Sequence, residues 1–121
     1  MVEHLHLIVR AEVSKPLKEE QSAEDFLTDL IDEIGMKILY GPVSRYCERQ
    51  GNRGLTAFSI IETSHVALHI WDEVDPALLQ LDIYTCGSLD LEIVFKYLQA
   101  LDPIKVDYKF LDRKNGFTVI R

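Results

Sequence analysis

Between Val2 and Val13 the apolar residues Leu5, Leu7, Val9 and Ala11 alternate with His4, His6, Ile8 and Arg10. This period of two predicts a strand with one clearly apolar face. Residues 14–21 are polar and contain Pro16, which reads as a loop. The pattern then changes period: Phe26, Leu27, Leu30, Ile31 and Ile34 recur at helical spacing until Gly35. Ser22 or a close neighbour, with Asp25 three residues later, is the expected cap. The acidic run Glu24, Asp25, Asp29, Asp32 and Glu33 is expected to form the solvated side of this helix. Ile38, Tyr40 and Val43 around Gly41-Pro42 predict a bent strand, and residues 50–54 a turn. Residues 55–62 and 65–71 read as two strands joined at Thr63-Ser64. Asp75-Pro76 marks a turn, and residues 79–85 form another strand. Leu91, Val94, Phe95, Leu98 and Leu101 predict a second helix from Asp90 to the stop at Asp102-Pro103. Val106, Tyr108 and Phe110 predict a last strand.

The order strand, helix, several strands, helix, strand suits an α+β two-layer sandwich, an antiparallel sheet with both helices on one face. A chain of 121 residues is one domain, taken as residues 1–121. With 47% hydrophobic and 27% charged residues it belongs with soluble globular chains. No apolar run approaches the roughly 20 residues that span a bilayer. The start Met1-Val-Glu-His lacks a signal-peptide pattern, so a cytoplasmic protein is expected. A formal charge of −7 argues against nucleic acid and favours cationic small molecules. Cys47 and Cys86 lack a CxxC spacing and are expected as free thiols. His4 and His6 lie at i and i+2, but no carboxylate or thiol beside them completes a ligand set. A solvated or interfacial strand face is the expectation there, and no metal is assigned. His65 and His69 at i and i+4 would suit a helical ligand pair, whereas their run reads as strand.

The chemistry-bearing groups concentrate between Ile60 and Gly87. Ser64, His69 and Cys86 lie in short alternating apolar runs, and strands side by side are expected to bring them within reach of one another. Ser64-His65, His69, Trp71 and Glu73, followed by Asp82 and Thr85-Cys86-Gly87, resemble in order and spacing the bacterial and archaeal S-adenosylmethionine decarboxylases. Those are pyruvoyl enzymes of polyamine synthesis.

The resemblance implies that Ser64 attacks the carbonyl of Thr63 and that the chain is cut between them, giving residues 1–63 and 64–121. Ser64 would become the pyruvoyl cofactor, the electron sink that decarboxylation of an amino acid requires. His69 matches the histidine that removes the Ser64 α-proton, and a neutral imidazole suits that task near pH 7. Thr56 stands where the family has a serine that assists processing. Cys86 matches the acid that protonates the substrate carbon, and Glu73 a substrate-binding carboxylate. In the family two protomers share their active sites, so a homodimer is implied.

Two stretches depart from the family pattern. Thr63 stands where a glutamate commonly precedes the serine, with Glu62 one position earlier, and a β-branched residue there restricts local geometry. Glu48, Gln50 and Asn52 occupy the positions of a run whose aromatic ring holds adenine. The ring is absent, and Glu48 is suited to a guanidinium or ammonium tail. The resemblance implies S-adenosylmethionine, the substrate of most of the family, as the default, and these departures point to L-arginine or L-ornithine as the alternative. An unprocessed, non-catalytic partner subunit is the reading of another class.

Overall fold

A computed structural model describes residues 2–121. The elements run β1 (Leu5–Val13), α1 (Glu20–Glu33), β2 (Ile38–Cys47), β3 (Gly54–Ile61), β4 (Ser64–Trp71), β5 (Ala77–Thr85), α2 (Leu91–Leu98), a short 3-10 turn (Gln99–Leu101), β6 (Pro103–Asp112) and β7 (Thr118–Val119). The strands form one antiparallel sheet in the order β2-β3-β4-β5-β1-β6-β7. The expected α+β sandwich is therefore what the chain adopts. No helix among the described residues is long and apolar enough to cross a membrane.

The period-two patterns determine which face of the sheet meets the helices. Three rows across β3, β4, β5 and β1 point into the core: Leu55-Ile70-Leu79-Ala11, Ala57-Leu68-Leu81-Val9, and Ser59-Val66-Ile83-Leu7. Every member is buried. Leu27, Leu30 and Ile31 of α1 and Val94 and Leu98 of α2 join the same core. Phe26 and Tyr97 meet edge to face where the helices touch, and Phe95 packs 4.8 Å from Tyr108 of β6. The intervening rows lie on the other face, which no helix covers: Ile60-His65-Tyr84-His6, Phe58-Ala67-Asp82-Ile8, and Thr56-His69-Gln80-Arg10. Ile8, Phe58 and Ile60 are exposed there.

Some boundaries differ from the sequence expectation. α1 begins before Ser22, with Glu19 as its extended cap, and the Ser22 hydroxyl donates back to the Glu19 carbonyl. Tertiary contacts favour the longer helix: the Glu20 carboxylate accepts the Tyr46 N–H at 2.8 Å, and Glu24 accepts from the Ser44 hydroxyl at 2.6 Å. Glu24 is thus tied to β2 instead of being part of a purely solvated face. Gly35 ends α1 as expected, with φ of 76° and its N–H on the Asp32 carbonyl. The bend at Gly41-Pro42 appears as register shifts between β2 and β3. Asp90 caps α2 through the Glu92 N–H.

Candidate active site

A two-residue turn, Glu62-Thr63, joins β3 to β4 between the paired residues Ile61 and Ser64. Ser64 has φ of 140°, a conformation that L side chains rarely adopt. Such a residue stores strain on the order of 1–3 kcal/mol, here at the Thr63-Ser64 peptide. The Thr63 carbonyl accepts a hydrogen bond from the Cys86 N–H at 2.8 Å. Ser64 pairs with Thr85, whose hydroxyl accepts the Gly87 N–H at 3.0 Å. Thr85-Cys86-Gly87 is therefore laid across the Thr63-Ser64 junction. An N–H already on that carbonyl is well placed to stabilise the oxyanion produced by attack at its carbon. The resemblance singles out Cys86 for its thiol; the hold of its amide on the Thr63 carbonyl is a contact that the motif alone does not reveal.

His69 is not part of this group within one chain. It lies five residues along β4 from Ser64, about 17 Å at strand rise. Odd spacing also turns it to the uncovered face, in the row Thr56-His69-Gln80-Arg10. The expectation that Ser64, His69 and Cys86 meet is thus corrected: Cys86 follows Thr85, the strand partner of Ser64, and reaches the junction through its backbone N–H, whereas His69 stands at the other end of the sheet. Thr56 and His69 do meet, as a direct cross-strand pair with Oγ1 and Nδ1 3.1 Å apart. The His69 ring stacks on Trp71 at 5.8 Å, and Trp71 Nε1 donates to Asn52 at 2.8 Å. That contact fixes the Thr56-His69 pair against the β2-β3 loop.

The same end holds a cleft of about 500 Å³ lined by Lys18, Tyr46, Glu48, Arg53, Asp72 and Glu73. Glu48 and Glu73 thus share a cavity, far from the Ser64 of their own chain. Three carboxylates face two cations there, leaving one excess negative charge. Tyr46 donates to Asp72 at 2.8 Å, and this bond to a carboxylate raises its pKa. Glu73 has a structural task besides any contact with substrate. One of its oxygens accepts the Arg53 N–H at 2.8 Å, and backbone N–H groups of Arg53 and Gly51 hold its carboxyl below the usual range. A carboxyl depressed by folding contributes stability above its unfolded pKa, and that contribution is lost as pH falls through the folded value. Acid titration followed by thermal unfolding should therefore show wild type losing more stability than Glu73→Gln below the ordinary carboxylate range. Parallel curves would mean that Glu73 does not hold the loop.

A further polar group lies on the uncovered face. His6 Nε2 is 2.6 Å from Asp82 Oδ1, and His65 Nε2 is 3.5 Å from the same oxygen. Arg113 reaches His6 Nδ1 at 3.3 Å and lies 4.0 Å over the Tyr84 ring. The carboxylate missing beside His6 in sequence is supplied by β5. Alternation explains why: His6, Asp82, Tyr84 and His65 occupy neighbouring outward positions on β1, β5 and β4. No group of three or more His, Cys, Asp or Glu with metal-holding geometry occurs among the described residues. Cys47 and Cys86 are free thiols at opposite ends of the sheet.

Comparison with known proteins adds to this geometry. Residues 5–114 match the family model described as S-adenosylmethionine decarboxylase. An S-adenosylmethionine decarboxylase proenzyme of Archaeoglobus fulgidus is 32% identical over 100 residues, which cover 80% of this chain and 88% of the relative. One of Pyrobaculum islandicum is 42% identical over 64 residues, and there the match spans only 51% of this chain and 50% of the relative. The crystal structure of the adenosylmethionine decarboxylase from Aquifex aeolicus shares the fold, with a TM-score of 0.73. That likeness covers 92% of this chain and 90% of the other at 19% identity. The family match spans nearly all of the sheet and both helices, and on that basis the chain belongs to the S-adenosylmethionine decarboxylase family.

Proposed function

We propose that this protein cuts itself between Thr63 and Ser64 and then acts as a pyruvoyl-dependent decarboxylase, with S-adenosylmethionine as its substrate. The observation that carries the reading is the strained Ser64 whose preceding carbonyl is held by the Cys86 N–H. Family membership and the proenzyme names of the relatives support it.

Cleavage needs no external cofactor. The Ser64 hydroxyl oxygen bonds to the Thr63 carbonyl carbon, the Thr63-Ser64 C–N bond breaks, and the hydroxyl proton passes to the Ser64 nitrogen. The peptide is then an ester. Removal of the Ser64 α-proton expels the Thr63 carboxylate, and addition of water with loss of ammonia leaves a ketone at position 64. His69 is the base in this scheme, and the Thr56 bond at Nδ1 fixes its ring. Once formed, the pyruvoyl group supplies an electron sink for the bond to carbon dioxide. Cys86 holds the proton that the substrate carbon receives. Glu48 and Glu73 line the cleft that takes the cationic substrate.

Within one chain His69 and the cleft are remote from Ser64, and this supports a homodimer with shared sites. A two-fold axis running across the strands, with the uncovered faces packed together, lays the Ser64 end of one sheet over the His69 end of the other. The exposed Ile8, Phe58 and Ile60 give that face apolar area to bury.

L-arginine or L-ornithine is a second substrate reading, favoured by the cleft itself. Its one large ring, Tyr46, is tied to Asp72, and Glu48 offers a carboxylate to an extended cationic tail. Intact mass under denaturing conditions, after incubation with each of the three amines and a mild reductant, tests both steps. Two chains divided at Thr63-Ser64, the second carrying a ketone and retaining one amine, are the expected result. A single unmodified chain of 121 residues overturns the reading and leaves the non-catalytic partner.

A further inference from the structure

Thr63 carries a second feature besides its carbonyl. Its Oγ1 is the one buried side-chain oxygen or nitrogen among the described residues that has no hydrogen-bond partner. Leaving such a hydroxyl buried and unpaired works against folding, because its hydrogen bonds to water are given up and not replaced. The Thr63 carbonyl is already engaged by the Cys86 N–H, and the Thr85 hydroxyl takes the Gly87 N–H. The Thr63 methyl lies beside Gly87, 3.7 Å from where a β-carbon on that glycine would stand. The turn therefore keeps a donor dry, unpaired and within the residue whose carbonyl is to be attacked.

We propose that the Thr63 hydroxyl is a catalytic hydrogen-bond donor reserved for self-cleavage, idle in the uncut chain and engaged as the reaction proceeds. This inference rests on the cleavage reading above. As Ser64 Oγ adds to the Thr63 carbon, the carbonyl oxygen becomes an oxyanion. When the ester is later eliminated, the leaving group is the Thr63 carboxylate. A β-hydroxyl reaches an oxygen of its own carboxyl group through a six-membered ring, so Thr63 Oγ1 donates to the oxygen on which charge develops, together with the Cys86 N–H. A bond made only as charge appears lowers the barrier without stabilising the starting state. No atoms beyond those of the cleavage scheme are needed, and the hydroxyl keeps its proton throughout.

Thr63→Val separates this role from a structural one, because it exchanges the hydroxyl for a methyl group and keeps the β-branch that limits rotamers. A hydroxyl without a partner is no loss to the resting fold, so the thermal midpoint of the uncut valine variant should equal or exceed that of uncut wild type. Both midpoints are measured in the Ser64→Ala background, where cleavage is blocked. Chain cleavage, followed by gel or intact mass in the otherwise native sequence, should slow by about tenfold to a hundredfold, a little less than loss of a strong oxyanion donor. Thr63→Ser should restore cleavage to within a few-fold of wild type. Valine cleaving at the wild-type rate overturns the proposal, as does a lowered midpoint for valine, which would show a bond already made in the resting protein. Wild type that fails to cleave would remove the cleavage reading itself. Wild type that cleaves while valine keeps pace removes the Thr63 role alone.

Discussion

Co-expression of Ser64→Ala and His69→Ala chains should restore cleavage that each variant lacks when expressed alone. Ser64 supplies the nucleophile, and without it there is no ester. A positioned base contributes about 10²- to 10⁴-fold, so His69→Ala alone should leave at most a trace of cut chain. In a mixed dimer with shared sites, one site pairs the intact Ser64 of the His69→Ala chain with the intact His69 of the Ser64→Ala chain. The other site lacks both. Random pairing makes half the dimers mixed, so about one quarter of wild-type sites should return. Different tags on the two chains show which is cut, and only the His69→Ala chain should be. Restoration fits the geometry, since five residues of β4 and the thickness of the sheet separate Ser64 from the His69 of its own chain. If His69→Ala chains cut themselves at the wild-type rate, His69 is not the base. If the mixture stays uncut while each variant folds, the shared site is wrong.

Much of the fold is legible in the two periods of the sequence. Leu5, Leu7, Val9 and Ala11 predict the core face of β1, and they are its core face. The helix faces follow in the same way, because burial of apolar side chains is what both the pattern and the fold express. Short-range features were less visible. β7 is a two-residue pairing at the edge, and the early start of α1 depends on Glu20 and Glu24 reaching β2. Neither leaves a periodic trace.

For the site, the motif order singles out the candidate residues and misleads about which of them touch. The spacing from Ser64 to His69 is odd, so alternation places them on opposite faces; treating motif order as proximity overlooks this. By contrast, Thr85-Cys86-Gly87 meets Thr63-Ser64 because β5 follows β4 in an antiparallel pair. Thr56 and His69 pair for the same reason, across β3 and β4. The hold of Glu73 on the Gly51–Arg53 backbone was not legible, because its donors are main-chain groups that carry no residue signature. The His6-Asp82-His65 group needed the register of three strands, and only the i, i+2 histidines hinted at it.

Gly54→Ala should be the most damaging single methyl group added to this chain. Gly54 opens β3 with φ of 154°, and a β-carbon there would stand 1.8 Å from the Ile70 carbonyl oxygen and 2.9 Å from the Trp71 α-carbon. Both contacts are backbone of the paired strand, so no side-chain rotation relieves them. Either β3 and β4 separate at this end or the chain leaves its register. Overpacking and backbone strain together place the expected loss at about 3–5 kcal/mol, a large share of the 5–15 kcal/mol that ordinarily holds a domain together. The damage is not confined to stability. Gly54 lies between Cys47 and Trp71 in the ladder, beside the Asn52-Trp71 bond and the loop held by Glu73. Opening that end also displaces the stacked His69 and the cleft. Denaturant unfolding should show a midpoint far below wild type or no folded protein at all. If any variant folds, its cleavage should be restored by a partner chain carrying Ser64→Ala, since the Ser64 end of the same protomer is remote from the lesion. A Gly54→Ala protein with wild-type stability would mean that β3 and β4 do not approach this closely, and the pairing of Thr56 with His69 would have to be reconsidered with it.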